Sequence, residues 1–95
     1  MHEKDEFSIT IGELVPRAIE AKIRQTLNEH FRETDNGQLL RDYYCPLGRL
    51  EGVRVLEELK ESLLRESGDS LSFDILRPIP RANRYTLTNV IIGVK

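Results

Sequence analysis

Arg77, Arg81 and Arg84 fall within one eight-residue stretch, with Asn83 and Tyr85 beside them and no acid between. A guanidinium fork donates in pairs to planar oxyanions, so three in so short a stretch point to recognition of phosphate or carboxylate. Pro78 and Pro80 stiffen the same stretch, which lowers the entropy lost on binding. Arg77, Arg81, Asn83, Arg84 and Tyr85 are therefore the candidate contact for an anionic partner. The competing expectation is a solvated loop whose arginines pair with acids of the same domain.

His30 is the next residue with chemistry to offer. Helical spacing sets it near the apolar stripe of its helix, between Leu27 and Phe31 in angle. There it could be a ligand or a pH-sensitive group, or a partly buried side chain favoured by the negative end of the helix dipole. The other histidine, His2, lies in a charged leading tail, so a metal site would lack nitrogen ligands and none is expected. Cys45 is the single cysteine and precludes an internal disulfide. As a nucleophile it would need His30 as base, and nothing in the spacing joins them; a buried structural cysteine is the expectation. Glu57, Glu58 and Glu61 resemble paired catalytic carboxylates only in number, because Glu58 and Glu61 belong to a solvated helix face. No glycine-rich phosphate loop, Walker-type lysine, Gly-x-Ser-x-Gly or His-Glu-x-x-His is present. The sequence thus argues for neither an enzyme nor a cofactor.

The elements that would position these residues follow from periodicity. Residues 1–6 read as a frayed tail, and Phe7 to Ile11 alternates with period two, as a half-buried strand does. Gly12 suits a turn and Pro16 the first turn of a helix. Val15, Ile19, Ile23, Leu27 and Phe31 recur every four residues, predicting a helix over about 15–32, ended by Thr34-Asp35-Asn36-Gly37. Residues 38–44 favour a short helix over a strand, and Pro46-Leu47-Gly48 breaks it. A second long helix is expected over 49–66. Its apolar positions, Leu50, Val53, Val55, Leu56, Leu59, Leu63 and Leu64, cover more than half its circumference. Arg54–Glu58 and Glu61–Arg65 are spaced to pair on its remaining face. Such breadth suggests cover from two directions, by the domain and by a partner seated on Leu50, Val53, Val55 and Leu56. Leu71 to Ile75 and Tyr85 to Val94 alternate as two strands of a hairpin, Val90-Ile91-Ile92 suits an inner strand, and the prolines between exclude a central one.

These elements predict an α+β chain: two long helices packed on a small, mainly antiparallel sheet with a C-terminal β-hairpin. Ninety-five residues make a single domain, 1–95. No apolar run is long enough for a bilayer, the charged start lacks a secretion signal, and one cysteine fits a reducing, cytoplasmic setting. The net charge is −2, yet residues 75–95 carry four cations and no acid, so residues 1–74 carry −6.

In order alone, long helix, short helix, long helix and a basic-tipped hairpin resemble a winged-helix domain. That resemblance implies nucleic-acid binding through the last helix and the 77–84 loop. Against it, the exposed face of that helix, Glu51, Arg54, Glu58, Glu61 and Arg65, is mostly acidic and would repel phosphate. The favoured expectation is a non-enzymatic interaction or assembly module, an adaptor or accessory subunit with a protein partner or a second copy of itself.

Overall fold

The computed structural model describes residues 5–34, 42–80 and 86–95. Its elements are β1 (Glu6–Ile11), α1 (Arg17–His30), β2 (Arg32–Thr34), β3 (Asp42–Tyr44), α2 (Arg49–Ser67), a 3₁₀ turn (Gly68–Ser70), β4 (Leu71–Ile75), β5 (Ile79–Pro80) and β6 (Thr86–Val94). The class is α+β, as composition and periodicity predict. The six strands form one mixed sheet in the order β2-β3-β1-β6-β4, with β5 also pairing β6. Among the described strands only β1 and β6 run parallel; every other pair is antiparallel. β1-α1-β2-β3-α2-β4 is the split βαβ order of elements, here opened by β6 inserted between β1 and β4.

Period-two alternation decides which side of the sheet meets the helices. In register, Phe7, Ile9 and Ile11 match Thr88, Val90 and Ile92, and Phe73 and Ile75 continue the same side through β4. These residues close one core with Ile23 and Leu27 of α1 and Val55, Leu56, Leu59 and Leu63 of α2. The rings of Phe7 and Phe31 meet edge to face, centroids 5.3 Å apart. No described helix lies on the opposite face of the sheet. Arg32, Tyr44, Glu6, Leu87 and Ile79 form one row across it.

Several boundaries differ from expectation. Glu6, placed in the tail by sequence, is the first residue of β1 and pairs with both Tyr44 and Leu87. α1 ends at His30, not 32. Phe31 turns to extended backbone (φ −126°, ψ 163°), which lets Arg32 pair with Tyr44. The short helix favoured over 38–44 is replaced at Asp42–Tyr44 by strand β3; residues 38–41 lie outside the described residues. Pairing Tyr43 with Phe7 and Glu33 buries its ring in the core, a gain that one short exposed helical turn does not offer. The element order behind the winged-helix resemblance is therefore not the order of the described residues.

The hairpin pairs as expected, but the proline stretch is not wholly loop. Ile79 and Pro80 pair with Leu87 and Thr86 on the edge of the sheet. Three residues, 76–78, lie opposite two, Thr88 and Asn89, between the flanking pairs Ile75–Val90 and Ile79–Leu87. One extra residue makes a β-bulge. Pro78 falls within it, where no ladder N–H is required.

Candidate interaction surface

Register brings one end of the molecule together. β1 begins there with Glu6 beside Tyr44, the last residue of β3, and Leu87, near the start of β6. α1 arrives with His30, α2 leaves with Arg49, and Pro80 pairs with Thr86. Ile79, Pro80 and Leu50 thus belong to the same end, although sequence gave no reason to join them.

The α2 start is built on glycine. Gly48 has φ 103°, a left-handed conformation open to glycine and costly for other residues. Gly52 faces the sheet so closely that a Cβ there would lie 2.7 Å from Cζ of Phe7 and 3.1 Å from Cβ of Cys45. That approach drives the helix onto β1 and turns Leu50, two residues earlier, away from the core. Leu50 is 76% exposed, and Leu47 in the preceding turn is 79% exposed. The other interface candidates divide. Val53 is half-buried, whereas Val55 and Leu56 are 5% and 0% exposed and belong to the core of the chain itself. The broad apolar arc is thus covered mostly from within, by the sheet and α1, and at this end a partner can meet Leu50, part of Val53 and the neighbouring Leu47.

Of the anion-binding candidates, Arg77 is exposed within the bulge and has no ion pair among the described residues. Arg81, Asn83, Arg84 and Tyr85 lie outside the described residues.

His30 closes α1 with its side chain about half exposed, Nε2 lying 3.9 Å from a carboxylate oxygen of Glu29. It lines a groove of about 250 Å³ between the two helices, with Thr26, Arg54, Glu58 and Ser62 above Val55 and Leu59. Arg54 donates to Glu51 and to Glu58, 2.6 Å away at the latter. The hydrogen bond from Arg54 holds the Glu51 carboxyl below its ordinary range, partly opposed by desolvation, with the charges of Arg54 and His30 adding to the lowering. The same partners, Glu51 first, push the Arg54 guanidinium upward. The groove's cation is therefore matched by its own acids. The expected Arg54–Glu58 pair is formed; Glu61 and Arg65 are both exposed and unpaired with each other, and Lys22 of α1 instead meets Glu66 of α2. Cys45 is buried and packs toward Gly52, and it is not part of the groove that His30 lines.

A second groove, of about 180 Å³, lies between α1 and the edge strand β2. Arg24, Leu27 and Asn28 line it from one face of α1, Glu33 from β2 and Tyr43 from β3. Sequence gave no sign of it, because it exists only when residues 32–34 and 42–44 pair as strands. Recognising Asp42-Tyr43-Tyr44 as a strand would have been the one available signal.

No group of three or more potential metal ligands occurs among the described residues, and no described helix is long and apolar enough to cross a membrane. No protein-family model matches the chain, and neither a curated protein nor a solved structure matches it.

Proposed function

We propose that the chain is a non-enzymatic protein-interaction or assembly module whose contact surface is the end of the sheet at the α2 N-terminus. One observation carries this proposal: Leu47, in the turn before α2, and Leu50, in its first turn, stand 79% and 76% exposed, and Leu50 lies on the side of α2 opposite the buried Gly52, Val55 and Leu56. Large apolar side chains exposed together favour association, because joining them to a matching surface removes apolar area from water. Ile79 and Pro80 pair with Leu87 and Thr86 at the same end, and the arginines of the 77–84 stretch would orient an acidic partner surface. The partner is a protein, with a second copy of the chain the first to test. In this account the protein works as an adaptor or accessory subunit in the cytoplasm.

The test compares three proteins: the native chain, Leu47→Ser/Leu50→Ser, and Arg77→Glu/Arg81→Glu/Arg84→Glu. Each is titrated with random duplex and single-stranded nucleic acid at low and physiological salt, and each is assayed for self-association. The account predicts association that is lost with the leucine pair and no nucleic-acid binding. Salt-sensitive nucleic-acid binding that disappears in the arginine variant would replace it with a nucleic-acid function.

A further inference from the structure

The groove beside β2 has a chemistry that the sheet end does not share. Tyr43 is only 7% exposed, lines the groove and makes no side-chain hydrogen bond to the described residues. Glu33 projects from the same register row, on the helix-facing side, and has no ion pair among the described residues. Asn28 adds an amide carbonyl, and buried Leu27 supplies an apolar wall. Arg24 is the one cation among the described lining residues, and its Nε donates to Glu20 of its own helix at 2.8 Å. Three oxygen-bearing side chains of different kinds, one of them a carboxylate, thus line a slot with an apolar side.

An ammonium group carries three donors and no acceptor, on an aliphatic stem that packs along apolar surface. We propose that this groove takes the side chain of a lysine, with its ammonium donating to Glu33, Asn28 and the Tyr43 hydroxyl and its stem lying along Leu27. The groove opens beside β2, the outermost strand of the sheet. A partner segment laid against that edge in extended form would present alternate side chains to it. Only the protein source of the lysine rests on the interaction reading above; the ammonium chemistry stands without Leu47 or Leu50. An inward-facing charge on an edge strand also discourages stray pairing. A guard of that kind has no preference between an ammonium and its acetylated form.

The test is a titration of the ¹⁵N-labelled full chain, followed by amide shifts, with Nα-acetyl-lysine-N-methylamide. Its Nε-acetylated analogue and an extended peptide with one central lysine run in parallel. Saturable shifts centred on Asn28, Glu33 and Tyr43 are expected from the ammonium form and none from the acetylated one. Glu33→Gln should weaken binding about tenfold or more, and Tyr43→Phe about fivefold, since a charged acceptor is worth more than a neutral one. Both variants keep the shape of the residue they replace, and a native-like amide spectrum confirms folding. Tighter binding of the peptide than of the amide supports a protein source; equal affinity overturns that source in favour of a free amine. Absence of saturable shifts, equal binding of the acetylated analogue, or an unaffected Glu33→Gln chain overturns the site.

Discussion

The two sides of the α2 N-terminus carry the same kind of residue to opposite ends. Leu56 is wholly buried against the sheet, and Leu50, on the same helix, is 76% exposed. Helical spacing groups both in one apolar arc, because hydropathy has no term for distance to a neighbouring element. What separates them is Gly52, where a missing side chain lets the helix close on Phe7. A helix seated by glycine fixes which of its leucines belong to the core, and the leucines left over are those available to something else.

Substitutions on the two sides should separate by size of effect. Leu56→Ala opens a cavity in the packed core and should cost about 2–5 kcal/mol in chemical denaturation. Leu50→Ala removes a side chain already in water and should fall within about 0.5 kcal/mol of native. Equal losses would erase the comparison. Gly52→Ala sharpens it, because its Cβ meets the Phe7 ring, which is itself fully buried and has no free space to enter. Overpacking of that kind should cost about 1–3 kcal/mol. A melting temperature unchanged in Gly52→Ala would show that close approach is not what seats α2. A gain instead of a loss is expected on β6, where Thr88 is buried with Oγ1 lacking a hydrogen-bond partner among the described residues. Thr88→Val exchanges that orphan hydroxyl for a methyl and should raise stability by about 1 kcal/mol.

How much could be read from the sequence follows the same physics. β1, both long helices and the hairpin strands are visible because each repeats its apolar residues at its own period over five or more positions. β2 and β3 have three residues each, too few to show a period, and their burial comes from partners distant in the chain. The edge pairing of Ile79 and Pro80 was hidden by prolines that exclude a central strand yet permit an edge. Among site residues, the exposure of Leu50 was legible only as a surplus of apolar positions. Val55 and Leu56 were assigned to the same surface because that surplus has no direction until the sheet supplies one. The groove beside β2 had no signal in the chain beyond a strand reading of Asp42-Tyr43-Tyr44, since Asn28, Glu33 and Tyr43 come from three elements, two of them the short strands.

Leu14 offers an internal control for the central claim. It is 83% exposed in the turn after β1, at the end of the sheet away from Leu47 and Leu50. Sedimentation velocity of the native chain, Leu14→Ser and Leu47→Ser/Leu50→Ser over a wide concentration range tests that claim most directly. The account predicts a mass that rises with concentration in the native chain and in Leu14→Ser, while the double variant stays at the 11.0 kDa of one chain. If all three remain at that mass and hold any co-purifying protein equally, the sheet end is not an interaction surface.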